Sequence, residues 1–434
     1  MLPKLSPLAE LQSALAEGTL TPLDIARDSI AHANSNASHN TYIRFDAASL
    51  LREAEALTPG GPLYGVSISV KDLFDLAGTV TSAGSSFYAA LNAPATVDSS
   101  VVTRLKQSGA LITGKTHLHP LAYGLTGENP DFGDCLQPRD STLLTGGSSS
   151  GAAASVQEGS ALAAIGTDTG GSVRIPAALC GLCGYRASHS LPTLWTGLWS
   201  GGLHLSETFD TIGLFTRDPR DLAPIAGALF GIAPAAAPAH PRIGCVSLDW
   251  VADANPEVLA AYAAWKQQLQ LSGATVAEFD TAAWDSAYEI YAAIQAYEAA
   301  AIHKRHMAKL EPTLEPRIAQ RLRWGASLTE RDIESLRSRQ QHFRAALAMP
   351  FAAFDFLMLP SAPVNRLPAG EDYTAARAAI LRYTAPFSLG GLPVVTLPGE
   401  LIGAGLGTGI QLAAPQLEDA TLLAFAANVG ASLV

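Results

Sequence analysis

The sequence is poor in charged residues and in cysteine, and it lacks long apolar runs. Only 15% of its 434 residues are charged and 48% are hydrophobic, which excludes an intrinsically disordered chain and provides for a large core. The four cysteines are too few for a disulfide framework, which favours a reducing, cytoplasmic compartment. No stretch reaches the roughly 18 apolar residues of a membrane span, and residues 1–20 lack the basic and apolar regions of a signal peptide.

Basic residues are also scarce. The chain has 28 Lys and Arg against 39 Asp and Glu, a net charge of −11. This balance argues against direct binding to nucleic acid or to an anionic membrane surface. The glycine-rich segments contain neither G-x-x-x-x-G-K-[ST] nor G-x-G-x-x-G, so nothing in them points to nucleotide binding.

Helix and strand patterns alternate along the chain. Residues 8–58 have helical spacing, with Thr21 as a helix cap and Pro22 at the first helical position. Strands are predicted at residues 64–70, 110–114, 161–166, 242–246, 356–360 and 394–398. Further helices are predicted from about residue 151, at 256–271 and over 286–348. The alternation predicts an α/β fold with a mixed or largely parallel sheet.

Three separated elements are the candidates for chemistry. Lys71 directly follows a predicted apolar strand, residues 146–151 read GGSSSG, and residues 166–176 read GTDTGGSVRIP. Each alone has a structural explanation, because Gly/Ser turns commonly begin helices and a lysine after a strand is usually solvated.

Together these elements resemble the amidase signature family. The spacing between Ser148 and Ser172 is the one that the family uses between its two catalytic serines, and residues 74–78, 209–218 and 409–412 are similar as well. The resemblance covers most of the chain. It implies one α/β/α domain over residues 1–434 with a mixed central sheet. Within it we expect an N-terminal helical segment at 1–58, a catalytic core at 65–230 and a helical excursion at 286–348.

The resemblance also implies the roles of three residues. Ser172 is the nucleophile, Ser148 is a bridging serine preceded by a cis peptide bond, and Lys71 is the terminal base. The chemistry is sound, because a serine hydroxyl needs a base and a buried lysine can be partly uncharged near pH 7. The hydroxyl of Ser148 can relay a proton, since it both donates and accepts.

The glycine pair before the nucleophile predicts an oxyanion hole. Backbone N–H groups of Thr169, Gly170, Gly171 and Ser172 are expected to converge on one point. Small residues there let a substrate carbonyl approach the backbone, and each such donor stabilises the transition state by about 3 kcal/mol.

Other residues near these motifs have more ordinary expected roles. Asp168 is expected to hold the loop by hydrogen bonds, and Arg174 to be structural, with orientation of a polar substrate end as the alternative. Ser150 stands where many relatives have glycine and is expected to cap the following helix. Tyr123 and Gly124 lie in a loop that lines the acyl pocket in the family, so we expect substrate contact there, with ordinary packing as the alternative.

Three further patterns favour structural interpretations. His117 and His119 have the spacing of strand-borne ligands, but no matching ligand cluster accompanies them, so no metal site is expected. Cys180 and Cys183 lack a second pair and are expected to be buried thiols. Several arginines in predicted helices are expected to form a solvated, ion-paired face: Arg321, Arg323, Arg331, Arg337, Arg339 and Arg344.

The predicted function is hydrolysis of a carbon–nitrogen bond in a small linear carboxamide, carbamate or urea-like compound. Carboxybiuret- or allophanate-like substrates define the most similar subgroup. Neither a metal nor an organic cofactor is expected, nor direct contact with nucleic acid or a membrane, and a homodimer is common in the family.

Two alternatives remain open. One is the glutamine-hydrolysing subunit of a tRNA-dependent amidotransferase, which releases ammonia from glutamine by the same chemistry. Departures from the common pattern at His117, His119, Pro120 and residues 184–188 favour a stand-alone hydrolase instead. The other is a catalytically inactive binding subunit, against which the intact residues Lys71, Ser148 and Ser172 speak.

Overall fold

Short strands and helices alternate along the chain in the computed structural model, which describes residues 5–433. The strands in chain order are β1 (Tyr42–Phe45), β2 (Ser67–Lys71), β3 (Leu111–Thr116), β4 (Leu136–Gln137), β5 (Asp140–Leu144), β6 (Ala163–Asp168), β7 (Cys183–Arg186), β8 (Thr211–Thr216), β9 (Arg242–Cys245), β10 (Thr275–Glu278), β11 (Phe356–Pro360), β12 (Val394–Leu397) and β13 (Ile410–Ala413). The helices are α1 (Pro7–Ala16), α2 (Pro22–Ser35), α3 (Ala47–Ala56), α4 (Ser86–Leu91), α5 (Ser100–Gln107), α6 (Ser150–Glu158), α7 (Arg174–Leu179), α8 (Leu222–Phe230), α9 (Pro256–Leu271), α10 (Ala287–His303), α11 (Met307–Leu310), α12 (Pro316–Ser327), α13 (Glu330–Ala348), α14 (Ala376–Gly390) and α15 (Asp419–Leu433).

Within the described residues, eleven of the strands form one mixed sheet, in the order β1-β3-β2-β6-β8-β7-β12-β13-β11-β9-β10. The pairs β2/β3, β2/β6, β9/β11 and β9/β10 are parallel. The pairs from β6 through β8, β7, β12 and β13 to β11 are antiparallel, as is β1/β3. The predicted α/β fold with a mixed central sheet is confirmed.

Helix α6 packs directly on the part of the sheet that carries the site. It contacts β2, β3, β6 and β8. Its sequence, SGAAASVQE, consists mostly of small residues, and nearly all of them are buried. Small side chains allow the helix backbone to approach the sheet closely, which places the GGSSSG segment at its N-terminus over the end of β2.

The N-terminal segment is helical except for one strand. Thr21 caps α2 with a reciprocal pair of hydrogen bonds to Asp24, and Pro22 occupies the first helical position as predicted. The expectation that residues 8–58 are helical is wrong at β1, which pairs antiparallel with β3 at one edge of the sheet. Residues 1–4 of the predicted segment lie outside the described residues.

Residues 287–348 form the helices α10 to α13 with short turns between them. Helix α10 packs against α12, α13 and α14, and so borders the loop after β6. In the part of the chain from 5 to 433, no helix combines the length and apolar character needed to cross a membrane.

Candidate active site

Two parallel strands place Lys71 at the centre of the candidate site. Lys71 is the last residue of β2, and the neighbouring strand β6 ends at Asp168. Val70 is paired with Ile165, so the carboxyl ends of both strands meet at the same edge of the sheet. The side chain of Lys71 is completely buried there.

Three hydroxyl groups surround the amine of Lys71. Its Nζ lies 2.8 Å from Ser148 Oγ, 2.9 Å from Ser149 Oγ and 2.8 Å from Thr167 Oγ1. No carboxylate is among these partners. The amine therefore sits among polar but uncharged neighbours, which suits a base that must gain and lose a proton.

Burial lowers the pKa of Lys71 to about 7, because removal from water disfavours the charged ammonium. The charges of Asp210 and Asp168 act in the opposite direction and favour the ammonium, but they do not outweigh burial. A substantial fraction of the amine is consequently uncharged near neutral pH, and only that form can accept a proton.

Ser148 and Ser172 belong to adjoining segments. Ser148 follows a cis peptide bond, Gly147–Ser148. The N–H of the next residue, Ser149, donates to the carbonyl of Ser172 at 3.3 Å. The Ser172 side chain, at 3% exposure, makes no hydrogen bond within residues 5–433. The structure thus places Ser148 beside Lys71 and joins its segment to that of Ser172 through main-chain atoms.

The loop between β6 and α7 presents backbone donors, although fewer than predicted. The N–H of Gly171 donates to Asp168 Oδ1 at 2.8 Å and is not available to a substrate oxygen. The prediction is therefore wrong for Gly171, because the carboxylate that holds the loop uses this donor. Within residues 5–433 the N–H groups of Thr169, Gly170 and Ser172 make no hydrogen bond.

Asp168 holds this loop, as the sequence predicts. Its carboxylate accepts hydrogen bonds from the N–H groups of Gly171 and Val173 and forms ion pairs of 2.9 Å with Arg174 and 3.0 Å with Arg186. Burial alone would raise the pKa of Asp168, but the two guanidinium groups outweigh it and hold the pKa below its ordinary value. Arg174 is completely buried, which confirms its structural interpretation.

Tyr123 lines a cavity of about 370 Å³ whose other walls come from α10, α12 and α14. Its buried ring lies beneath the guanidinium groups of Arg321 and Arg377, at 4.6 Å and 5.7 Å from the ring centre. Gly124 instead lies against His119, whose Nε2 occupies the position that a Cβ at Gly124 would need. Of the two predicted substrate contacts, Tyr123 is at a cavity wall and Gly124 is in a tightly packed position.

A second cavity has a volume of about 240 Å³. It is lined by Trp195, Trp199, His204 and Asp210, among others. Asp210 accepts a hydrogen bond of 2.6 Å from the Thr169 hydroxyl and one of 3.0 Å from His204 Nδ1. The loop that carries Ser172 is therefore joined to the wall of this second cavity through Thr169.

The histidines and Ser150 form a packed interior cluster. His117 Nδ1 lies 2.8 Å from Ser150 Oγ, and its Nε2 lies 2.8 Å from the carbonyl of Gly133. The predicted helix cap by Ser150 is wrong, because Ser150 is the first residue of α6 and its hydroxyl is paired with His117. Cys180 and Cys183 are buried free thiols, as expected. Among residues 5–433, no group of three or more metal-ligating side chains converges.

The sequence analysis missed several residues that border the site. Ser149 and Thr167 lie inside the quoted motifs, and their hydroxyls next to the candidate base were a usable signal. Tyr291 and Gln295 have no such signal, because they approach from α10. The Tyr291 hydroxyl occupies the position that a Cβ at Gly170 would need.

A comparison with family models assigns residues 24–423 to the amidase family, described as "Amidase". The chain belongs to this family, a class of hydrolases that act on carbon–nitrogen bonds.

Individual relatives agree with this assignment. The 2-amino-5-chloromuconic acid deaminase of Comamonas testosteroni is 32% identical, with 98% of this chain and 95% of the relative aligned. A glutamyl-tRNA(Gln) amidotransferase subunit from Nitratidesulfovibrio vulgaris (strain DP4) is 29% identical over 96% and 94% of the two chains. A crystal structure of an amidase superposes with a TM-score of 0.89 at 31% identity, covering 99% of this chain and 100% of the other.

Proposed function

We propose that the protein hydrolyses the carbon–nitrogen bond of a small linear carboxamide, carbamate or urea-like substrate through an acyl-enzyme on Ser172. The observation that carries this proposal is the buried amine of Lys71, which has a pKa of about 7 and lies 2.8 Å from the Ser148 hydroxyl. Ser148 in turn adjoins the segment of Ser172 through the hydrogen bond from Ser149.

Acylation begins when the Ser172 oxygen attacks the substrate carbonyl carbon. The proton of Ser172 passes to Ser148 as Ser148 gives its own proton to the uncharged amine of Lys71. The carbonyl π electrons move onto the oxygen, and a tetrahedral intermediate forms. The N–H groups of Thr169, Gly170 and Ser172 are the donors that stabilise its negative charge.

The intermediate collapses by breaking the carbon–nitrogen bond. The leaving nitrogen takes the proton held by Lys71, delivered through Ser148, and departs as ammonia or an amine. Water then attacks the ester carbonyl of the acyl-enzyme, and the same relay takes its proton. Release of the acid returns the proton to Ser172, so Lys71 is again uncharged.

Replacement of the nucleophile tests the proposal. Ser172→Ala is expected to lower kcat by roughly 1,000-fold or more, because Ser172 supplies the oxygen of the proposed ester. The exposed Ser272→Ala serves as a matched control with unchanged activity. Full activity in folded Ser172→Ala, checked by circular dichroism, contradicts the assignment.

A serine-reactive fluorophosphonate probe distinguishes the enzyme from an inactive binding subunit. We expect stoichiometric labelling at Ser172, located by peptide mass spectrometry, and loss of labelling in Lys71→Ala. Absence of labelling in the native protein favours the binding subunit.

The glutamine-hydrolysing subunit of an amidotransferase remains the second candidate, because the amidotransferase relative from Nitratidesulfovibrio vulgaris aligns over nearly the whole chain. Glutamine hydrolysis is to be measured with the isolated protein and with added ATP, tRNA and cell extract. Glutamine turnover confined to the supplemented reaction favours this candidate, whereas turnover of simple amides by the isolated protein supports the stand-alone hydrolase.

The proposed mechanism needs neither a metal nor an organic cofactor. All four cysteines are buried and unpaired, which supports a reducing, cytoplasmic location.

A further inference from the structure

Two guanidinium groups that pair with no carboxylate, those of Arg321 and Arg377, line the cavity beside Tyr123. Glu289 also lines this cavity, but its carboxylate pairs with Arg339 at 2.8 Å. Arg321 donates to the carbonyl of Tyr123, and Arg377 donates to Gln295 Oε1 at 3.1 Å. Neither makes an ion pair with an acidic side chain within residues 5–433. By contrast, the neighbouring Arg323 on the same helix as Arg321 pairs with Glu311 at 2.7 Å.

Both guanidinium groups also hold an unused donor. The Nε atoms of Arg321 and Arg377 are buried and have no hydrogen-bond partner. These two N–H groups are out of reach of a molecule in the cavity. The Nη1 groups of both residues also make no hydrogen bond within residues 5–433, and they are not buried, so they can donate to an anion there. Burial, with a further contribution from the nearby charge of Arg377, lowers the pKa of Arg321 to about 9.

The cavity is connected to the candidate catalytic loops by two routes. Gln295 Nε2 donates to the Tyr291 hydroxyl at 2.5 Å, and that hydroxyl lies against Gly170 of the nucleophile loop. On the other side, the loop of Tyr123 continues to Leu125, whose carbonyl accepts a hydrogen bond of 2.7 Å from Gly147. A molecule in the cavity is therefore held by the same elements that hold Ser148 and Ser172.

The chemistry of the cavity selects its ligand. A carboxylate matches the planar, paired donors of guanidinium groups and supplies the missing negative charge. Tyr123, Ala292 and Trp324 provide an apolar wall for the carbon chain of such a molecule. A volume of about 370 Å³ suits a small organic acid rather than a polymer.

We propose that the amide substrate carries a carboxylate that Arg321 and Arg377 bind in this cavity. This inference rests on the proposed function, and it narrows the substrates to amides of acid-bearing molecules. For a primary amide the carboxylate belongs to the acyl portion, because the leaving group is ammonia.

The contribution of the substrate carboxylate is tested with pairs of substrates of equal chain length, one with a terminal carboxylate and one with a terminal amide. Succinamate, glutaramate and adipamate are each compared with the uncharged diamide, namely succinamide, glutaramide and adipamide. We expect kcat/KM to be roughly 10-fold or more higher for the acid at the chain length that spans the cavity and the nucleophile. Equal or better turnover of the diamide at all three lengths overturns the proposal.

Variants identify the residues responsible. Arg321→Gln and Arg377→Gln are each expected to lower the ratio of kcat/KM for acid over diamide by roughly 10-fold, whereas Arg323→Gln leaves it unchanged. Equal losses for both substrates indicate a structural role and overturn the proposal. If Arg321→Gln does not fold, Arg377→Gln decides the question alone.

Binding measured without turnover separates this proposal from the proposed function. Calorimetric titration with succinate, glutarate and adipate is expected to show binding to native protein and to Ser172→Ala, and loss of binding in Arg377→Gln. Binding without any amide hydrolysis overturns the proposed function but keeps the carboxylate site. Absence of binding by all three acids, with hydrolysis of neutral amides intact, overturns the carboxylate site alone.

Discussion

Ser149 Oγ accepts a hydrogen bond from Lys71 Nζ at 2.9 Å while its own proton is directed to the carbonyl of Thr167 at 3.1 Å. A serine hydroxyl has one proton, so Ser149 can only accept from Lys71. An uncharged lysine has two N–H bonds and one lone pair. Because one N–H is committed to Ser149, the lone pair is confined to the directions of Ser148 and Thr167.

We therefore predict a positioning role for Ser149. Ser149→Ala is expected to lower kcat/KM about 10-fold and to move the acidic limb of the pH profile, because the amine loses a fixed acceptor. The measurement is a pH series of kcat/KM for a neutral amide. Ser155→Ala is the control, since its hydroxyl pairs with Ser69 instead. A loss of stability with an unmoved pH profile contradicts the prediction.

The pKa of Lys71 predicts the pH dependence of catalysis. Activity requires the uncharged amine, so kcat/KM is expected to rise with pH through about 7 and to level above it. Lys71→Met removes this limb and lowers kcat/KM by roughly 1,000-fold. Lys106→Met is a surface control that pairs with Asp98. A wild-type pH profile in Lys71→Met excludes the lysine as the base.

The same shift has a consequence for stability. The folded pKa of Lys71 is lower than its ordinary value of 10.5, so the unfolded chain binds more protons between pH 7 and 10.5. The contribution of this group to the free energy of unfolding thus increases with pH across that window. Urea denaturation of wild type and Lys71→Met at pH 7, 8 and 9 measures this contribution. The free energy of unfolding of wild type, minus that of Lys71→Met, is expected to increase from pH 7 to pH 9.

Loss of the Asp168 carboxylate is predicted to destabilise the fold strongly. Asp168→Asn leaves the buried guanidinium groups of Arg174 and Arg186 without their counter-charge and is expected to cost about 3–5 kcal/mol of unfolding free energy. Asp355→Asn, which breaks a more exposed pair with Arg242, is expected to lower the free energy of unfolding much less. Urea denaturation measures both, and similar losses contradict the prediction.

Glu158 is expected to give the free energy of unfolding a second pH dependence, opposite in sign to that from Lys71. Burial raises its pKa to about 7, although hydrogen bonds from Ser160 and Thr41 oppose the shift. The folded state therefore binds more protons than the unfolded state between pH 4.5 and 7, and the contribution to stability is lost as pH rises through 7. Glu158→Gln is expected to flatten this dependence. Identical pH slopes for the variant and wild type, measured by thermal unfolding from pH 5 to 8, disprove it.

Local patterns were sufficient where the determinants lie within a few residues. The predicted strand 356–360 and the predicted helix 256–271 coincide with β11 and α9, because a short apolar run that ends at a proline and a proline at a helix start act locally. The roles of Lys71 and Ser148 are implied only by the family resemblance, and the structure places their side chains 2.8 Å apart.

Contacts between distant segments were beyond such patterns. Ser150 was predicted as a helix cap, but His117, 33 residues earlier, takes its hydroxyl. Arg321 was predicted on a solvated face, yet it packs on Tyr123, 198 residues earlier. Arg323, Arg337 and Arg339 do form the predicted ion pairs. All four residues are arginines on helices, so the packing of α12 and α13 decides which of them forms a surface ion pair and which packs against a distant side chain.

The buried contacts of Arg174 order the assembly of the site in time. Its guanidinium donates to the carbonyl of Thr384, to Gln411 Oε1 and to Ser388 Oγ, all more than 200 residues further along the chain. Because translation runs from the N-terminus, these acceptors are synthesised long after the loop of Ser172. Until those residues are present, Arg174 lacks three of the hydrogen bonds that fix it beside the loop of Ser172, so this part of the site is completed only late in synthesis.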